Sequence, residues 1–395
     1  MKKMMILGAG IYQVPLIKKA REMGLYTIVV SIPGKYPGFA LADKIYHMDT
    51  RDLQGILRAA ETEKIQGICT AGTDVAVAAI GYVCGQLGLS GISPQAAETV
   101  TDKWKMKQAF AAGGAATAAF RPVFSEEEAE AAAAGLGYPV CVKAVDKSGS
   151  RGVRKAGDPE ELRNAYREAR DVSDRDYVLV EEYIQAHEIG VDGFIQGGKP
   201  VLLVPHDKDM YRVGGVSIPG GHRFPFVCSE ELSEEIRRQI TLAAAAAGLD
   251  NCPFNADVFV RDGRVWVIEI GGRSGATCIP ELLSIYCGFS YYEKMLRAAL
   301  GEPVQFQVRG KRACMARLLF SETGGLLERL DEACLAELNR EDIQWQLDYA
   351  PGEKLPAAKN GTDRIGHLIM RTGDEREFQK YYERLRAALK IQKEL

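Results

Sequence analysis

The chain has 395 residues, 46% hydrophobic and 26% charged, as expected of a soluble globular protein with two to four lobes of roughly 100–200 residues each. Its 50 lysines and arginines against 53 acids leave a formal net charge of −3. No global field therefore invites nucleic acid or an anionic membrane, and an anionic ligand must be gripped by local cations. The nine cysteines are scattered without a C-x-x-C pair, which reads as thiols of a reducing compartment. No apolar run reaches the roughly 18 residues of a membrane span, and the cytoplasm is the expected location.

The opening MKKMMILGAGI begins basic, but glycines break its apolar stretch, and it reads as a buried strand and not a leader. A helix over Tyr12–Met23, the strand YTIVVSI, the short strand DKIYHMD, a helix over Asp52–Glu63, the strand IQGICTAG and a helix over Val75–Leu87 follow. This alternation predicts right-handed crossovers and an open parallel sheet. Residues 93 to about 135 are helix-rich. Then come the strand YPVCVKAV, the turn DKSGSRGV, the strand RKAG and a helix started by Asp158 and Pro159. YVLVEEYI is a strand, and HEIGVDGFIQGGKPVLL a hairpin over Gly197-Gly198. Ser229–Gly248 is helical, and FNADVFVRDGRVWVIEI is a hairpin turned at Asp262-Gly263. The tail from about 303 is mixed, with strands near 311–319 and 363–371 and an amphipathic last helix.

Gly8-Ala9-Gly10 lies where a dinucleotide fingerprint would begin. Its third glycine is replaced by Gln13, and the second strand ends in VVSIPG without an acid for a ribose. A tight turn in a structural sheet is expected there, and an NAD-dependent oxidoreductase is disfavoured.

Four other features suit one chemistry. Lys103 in TDKWKMK and Lys143 in the apolar strand YPVCVKAV need negative partners if buried, which a triphosphate supplies; the plainer reading is solvated or snorkelling side chains. The turn Ser148-Gly149-Ser150-Arg151-Gly152-Val153 lets backbone N–H groups approach phosphate, although it is no Walker loop. Glu181, Glu182, Tyr183 and Ile184, then His187 and Glu188, offer acids beside apolar residues for an adenine amino group and ribose hydroxyls; solvated acids at a strand end are the alternative. Asp257 and Glu269 are placed to face each other across the Asp-Gly hairpin, where two carboxylates repel unless a hard cation such as magnesium joins them. A solvated hairpin face fits poorly with the apolar flanks around them.

The polar, glycine-rich segment 206–225 reads as a loop, with His206, Asp207, Lys208, Arg212, His222 and Arg223. It is expected to line or close over an acceptor site, with Lys208 and Arg223 as catalytic candidates; a plain solvent loop is the alternative. The two histidines lack metal-ligand spacing.

In this order, DK, YPVCVK, SGSRGV, EEYI-x-x-HE and D…EIGGR resemble the ATP-grasp superfamily over roughly residues 1–300. Biotin carboxylase, the carbamoyl-phosphate synthase domains and the D-alanine ligases are similar, and the C-terminal third resembles ATP-dependent L-amino acid ligases. The resemblance implies an α/β chain in three parts: a Rossmann-like domain over 1–97, an α+β ATP-grasp domain over 98–302 with its lid at about 125–187, and a small mixed lobe over 303–395. It implies Lys103 and Lys143 on the α/β-phosphates and Ser148, Gly149, Ser150 and Gly152 over the β/γ-phosphates. Glu181 would meet the adenine amino group, Tyr183 and Ile184 the ring edge beside Glu182, and Glu188 the ribose. Asp257 and Glu269 would carry Mg2+, with Mn2+ as a substitute, and Arg273 would stabilise an acyl phosphate. The family usually has E-x-N on the second metal strand, whereas this chain has Glu269-Ile270-Gly271, which leaves the number of metal ions open.

The implied activity is an ATP- and magnesium-dependent ligase joining a small carboxylate, such as an amino acid, to an amine, with a homodimer as the implied assembly. The rival readings are a bicarbonate-activating enzyme and a non-catalytic ATP-sensing module.

Overall fold

The structure, a computed structural model, describes residues 1–213 and 216–392, with side chains described outside 213–217. The chain divides into two compact units. The first comprises Met1–Leu203, Cys228–Ser274 and Met295–Val304, and the second Val204–Val227, Gly275–Lys294 and Gln305–Leu395. No helix among the described residues is long and apolar enough to cross a membrane.

The first unit opens with the expected parallel sheet. Strands β1 (Lys3–Leu7), β2 (Tyr26–Ser31), β3 (Lys44–His47) and β4 (Gly67–Cys69) lie in the order β3-β2-β1-β4. Helices α1 (Val14–Glu22), α2 (Leu53–Glu63) and α3 (Val77–Leu87) alternate with them. Met4, Met5, Ile6 and Leu7 are wholly buried, which is why β1 reads as an unbroken apolar run. Strand order reverses between β1 and β4, the place where such sheets open a ligand crevice. Here Gln13 fills it. Its Oε1 accepts from Gly10 N at 2.9 Å, and its Nε2 donates to Ala71 O at 2.5 Å. The residue that breaks the dinucleotide fingerprint thus uses an amide a pyrophosphate would need.

Helices α4 (Pro94–Val100) and α5 (Lys103–Ala112) follow, capped by Ser93 and Asp102. Next is an antiparallel sheet of β5 (Phe120–Val123), β6 (Val140–Ala144), β7 (Val153–Ala156) and β8 (Val178–Glu182), in the order β5-β8-β6-β7. Helices α6 (Glu126–Leu136) and α7 (Pro159–Val172) bury Ala129, Ala133, Leu162 and Tyr166 against Val140, Val142, Val178 and Val180. The unit continues with β9 (His187–Gln196) and the first residues of β10 (Lys199–Val213). Helix α8 (Glu230–Ala246) and strands β12 (Cys252–Arg261) and β13 (Arg264–Gly271) complete it, with β12 antiparallel between β9 and β13. Asp262 and Gly263 both take positive φ, 51° and 75°, as the tight hairpin turn demands.

The second unit holds the rest of β10, β11 (Val216–Phe224), α9 (Ile279–Cys287), β14 (Cys314–Leu319), β16 (Ile343–Leu347) and β18 (Gly366–Met370). Its main sheet runs β10-β11-β14-β18-β16. A small sheet of β15 (Gly325–Leu330), β17 (Lys354–Leu355) and β19 (Leu389–Gln392) lies in the order β17-β15-β19. The short helix α11 (Glu332–Ala336) and the last helix α12 (Glu375–Ala388) share a core of Leu327, Leu338, Leu368, Met370, Phe378 and Leu385. Helix α10 (Tyr291–Ala299) begins in this unit and ends in the first.

One expectation is corrected. Segment 206–225 is not a loop: β10 and β11 form a hairpin through it, with Gly214 and Gly215 outside the described residues. Pro219 and the two glycines after it suggest a loop, but they sit at a bulge, where Asp209 pairs with Gly221 and Met210 with Pro219. A Cβ on Gly221 would stand 2.5 Å from Ala316 O, so glycine there permits close pairing with β14. His206 and His222 are buried, His206 stacked on Phe224 at 4.5 Å.

Candidate nucleotide and metal site

The antiparallel register in the first unit sets one half of the site. Cys141 of β6 pairs with Glu181 of β8, and Lys143 with Leu179, so Lys143 and Glu181 are diagonal neighbours. The Lys143 ammonium lies 2.8 Å from Glu181 Oε2. A second ammonium, from Lys107 on α5, lies 3.3 Å from the same oxygen. All three groups are buried. Burial pushes the Glu181 carboxyl up, but Lys107 and Lys143 outweigh it and hold the group below the ordinary glutamate value. Burial likewise disfavours charge on Lys143, and Glu181 more than offsets it, so this lysine stays protonated. For Lys107 burial wins over Glu181, aided by the neighbouring Lys143 charge, and its pKa falls to about 8. Glu181 Oε1 is buried with no hydrogen-bond partner among the described residues, so a strong acceptor is left to a ligand.

Lys103 opens α5, where Asp102 caps Trp104 N and Lys105 N and accepts from Tyr177 OH at 2.5 Å. The Lys103 ammonium donates to Lys147 O at 2.5 Å and lies 3.8 Å from Glu269 Oε2. It therefore stands between the glycine-rich turn and the carboxylate strand. In that turn Gly149, Ser150 and Gly152 have φ of 67°, 59° and 66°. A turn that includes left-handed residues can gather successive backbone N–H groups into an anion nest. Glu182 is exposed, and Lys155 sits 4.4 Å over the half-exposed Tyr183 ring. Tyr183 N donates to Pro139 O at 3.3 Å, and Ile184 is buried.

The other half lies on one face of β9, β12 and β13. Asp257 pairs directly with Glu269, and on its other side with Gly190. The row before it pairs Phe259 with Glu188, and the row after pairs Asn255 with Asp192 and Gly271. A bulge passes over Ile268 beside the two carboxylates, which keeps Glu269 on this face. Among the described residues no three or more His, Cys, Asp or Glu side chains form a metal cluster. Two opposed carboxylates suit magnesium, which takes one or two of them and completes its shell with phosphate and water.

Arg273, just past β13, is gripped on both sides. Its Nε and Nη2 donate to the Asp74 carboxylate at 2.7 and 2.8 Å, and its Nη1 to Asn255 Oδ1 at 2.6 Å. Asn255 Nδ2 donates in turn to Asp192 at 2.8 Å. Burial raises the Asp74 carboxyl, but Arg273 and then Lys103 bring it below its ordinary value. These contacts give physical content to the missing asparagine. A Cβ on Gly271 would meet Asp74 Oδ1 at 3.1 Å, so an Asn there would press on the ion pair. An asparagine does stand directly across the ladder at 255, with its oxygen given to Arg273.

Lys103, Lys143, Ser148–Gly152, Glu181–Ile184, Glu188, Asp257, Glu269 and Arg273 thus all belong to the first unit. Lys208 and Arg223 belong to the second. There Lys208 pairs in register with His222, and Arg223 lies 3.6 Å from both Asp209 and Glu375, which Arg317 also binds. Sequence reasoning missed Lys107, Thr117, Asp74 and Asn255. Lys107 carried a signal: it lies one helical turn from Lys103, on the same face of α5. Asn255 lies two residues before Asp257 on the same face of β12, whereas Asp74 is joined to the site by a contact 199 residues away in sequence.

Residues 136–281 match the ATP-grasp domain, and residues 317–394 match the L-amino acid ligase C-terminal domain 2. The chain is 29% identical over 270 residues to a D-alanine--D-alanine ligase of Marinobacter nauticus, covering 64% of this chain and 81% of that one. It is 28% identical over 298 residues to the carbamoyl phosphate synthase large chain of Neisseria meningitidis, covering 70% of this chain and 27% of that longer protein. Among solved structures, a phosphoribosylglycinamide synthetase from Anaerococcus prevotii matches with TM-score 0.83 and 28% identity over 100% of both chains.

Proposed function

We propose that this chain, an ATP-grasp enzyme of the kind that forms carbon–nitrogen bonds, activates a small carboxylate as an acyl phosphate and joins it to an amine. The observation that carries this reading is the Asp257/Glu269 pair, opposed on one sheet face with Lys103 3.8 Å from Glu269 and Arg273 at the strand end. An amino acid is the proposed carboxylate, supported by the matched C-terminal domain.

In this reading a carboxylate oxygen of the substrate attacks the γ-phosphorus of ATP, and the bond to the departing ADP oxygen breaks. The amine then attacks the acyl carbon, phosphate leaves, and the nitrogen gives up a proton. Such chemistry asks for positioning and charge neutralisation more than for a protein nucleophile. Glu181 Oε1 accepts from the adenine amino group, beside Glu182, Tyr183 and Ile184, and Glu188 serves the ribose. Lys103, Lys143 and the turn Ser148-Gly149-Ser150-Arg151-Gly152 hold the phosphates. Asp257 and Glu269 would hold magnesium, or manganese in its place, and a bound ion there supplies charge neutralisation to the phosphates. Arg273 steadies the acyl phosphate, and Lys208 and Arg223 are kept as acceptor-side residues. The division at 1–97, 98–302 and 303–395, a cytoplasmic location and a homodimer belong to the same proposal. Nine free cysteines support the location, and resemblance alone supports the dimer.

The test is magnesium-dependent phosphate release from ATP across pairs of amino acids and small carboxylates, with and without bicarbonate, with Glu269→Gln as control. Release that needs both a carboxylate and an amine, and is lost in the control, is expected. Release driven by bicarbonate alone points to a carboxylase, and ATP binding without release under any mixture rejects the ligase.

A further inference from the structure

In the nucleotide site two buried lysines share one carboxylate oxygen. Lys143, the lysine also assigned to the phosphates, lies 2.8 Å from Glu181 Oε2. Lys107 adds a second ammonium on the same oxygen, although only 1% of its surface is exposed and burial drives its pKa down to about 8. A buried charge is costly unless it has a specific partner, so Lys107 calls for a role at Glu181.

The geometry points to Lys107 as a positioning residue that sets base selectivity, by pinning Glu181 Oε2 so that Oε1 alone faces the base. This rests on the nucleotide reading above. Both ammonium groups converge on Oε2, while Oε1 is buried and without a hydrogen-bond partner among the described residues. An ionised carboxylate only accepts. Held in this orientation it favours an exocyclic amine on the six-position of a purine and repels a carbonyl oxygen there. Lys107 is itself fixed. It donates to Thr117 Oγ1 at 2.6 Å, and that hydroxyl donates onward to Val267 O at 2.7 Å. Val267 also donates its N–H to Ala116 O at 2.8 Å and lies two residues before Glu269 on β13. The base acceptor is therefore tied by two hydrogen bonds to the strand that carries the candidate metal ligand. Lys143 has no such tether in the hydrogen bonds of the described residues; its side-chain contact is Glu181.

The experiment titrates the full-length protein with MgATP and MgITP, which places an amine or a carbonyl at the same purine position. Wild type is expected to prefer ATP by about 100-fold or more, since a site built to receive a donor leaves its own buried acceptor unpaired with the wrong base. Lys107→Met is expected to lower the ATP/ITP ratio about tenfold, the order of one charge-assisted hydrogen bond, and Lys107→Arg to restore most of it. A folded Lys107→Met protein that loses both nucleotides equally, or keeps the wild-type ratio, overturns the proposal. If Lys107→Met does not fold, Thr117→Val decides: it keeps every charge and removes the tether, and an unchanged ratio in that variant overturns the proposal. Equal binding of ATP and ITP by wild type rejects the acceptor role of Glu181 itself, and absence of MgATP binding rejects the nucleotide site, so neither is confused with failure of Lys107 alone.

Discussion

Two glycines of the turn between β6 and β7 make a matched pair for testing how the turn is held. Gly149 and Gly152 have nearly the same φ, 67° and 66°. A Cβ on Gly149 would meet nothing within 4 Å, whereas one on Gly152 would stand 2.6 Å from Val172 Cγ2 and 2.8 Å from Ala144 Cβ. In each case alanine suffers the left-handed penalty of about 1–2 kcal/mol, partly offset by about 0.4–1 kcal/mol from the less flexible unfolded chain. Gly149→Ala should therefore cost about 1 kcal/mol. Gly152→Ala adds overpacking against α7 and β6, about 1–3 kcal/mol more. The assay is urea unfolding of both variants together with hydrogen exchange at the α7 amides, which reads the opening of this sheet and its helices directly. Gly152→Ala should lower α7 protection roughly ten-fold or more beyond Gly149→Ala, since about 1.4 kcal/mol is a factor of ten. Equal costs for the two variants would show that backbone conformation alone, and not packing against Ala144 and Val172, demands glycine at 152.

Further outcomes follow from the same contacts. Glu269→Gln should cut magnesium-dependent turnover by about 100-fold or more, on the order of 2–4 kcal/mol of transition-state stabilisation, while MgATP titration and the melting curve show the protein folded; near-normal turnover would remove Glu269 from the metal site. Asp74→Ala should destabilise by about 1–3 kcal/mol, below the range for a fully buried pair because the side chain is 29% exposed, and Asp74→Asn by less, as read by denaturant midpoint; no difference from wild type would mean that Asn255 alone suffices for Arg273. Glu281 accepts from Tyr292 OH at 3.0 Å, and burial pushes its carboxyl above the ordinary glutamate value of 4.5, with its helix backbone, Tyr292 and Arg364 only partly offsetting that. Its folded pKa is raised, so the stability it contributes is complete below about pH 4.5 and is lost as pH rises through the folded value. Glu281→Gln should thus match wild type near pH 4 and melt higher at pH 7; a variant less stable than wild type at pH 7 would refute the sign. Chelation with EDTA should abolish phosphate release and leave the melting curve nearly unchanged, because a two-carboxylate site contributes little to folding.

Much of the fold was legible because it rests on local pattern. Met4–Leu7 and Ile28–Val30 are apolar without interruption, as buried parallel strands tend to be. Asp158 and Pro159 start α7, and Asp262-Gly263 turns the β12–β13 hairpin, each for a reason confined to a few residues. The tail was less legible. Strands β15, β16, β17 and β19 are short, and β16 alternates with Gln344 and Gln346 on its open side, so their burial comes from partners distant in sequence. By composition the hairpin of β10 and β11 resembles a loop, because Pro219, Gly220 and Gly221 are turn-formers, while in the fold they serve a bulge and a close strand contact.

Although the turn at Asp262-Gly263 and a period of two would set Asp257 opposite Ile268, and only the bulge there brings Glu269 across from it, the chain alone was sufficient to put the two carboxylates on facing strands of one hairpin. It was also sufficient to single out Lys143 and Glu181 as charges in apolar strands. It could not say that Lys107 shares the Glu181 oxygen or that Asp74 holds Arg273. Those relations join residues far apart in sequence, through Cartesian distances that no local periodicity encodes. Charge partners of this kind exist only once the sheets have closed, when burial makes each unpaired group costly enough to require a particular neighbour.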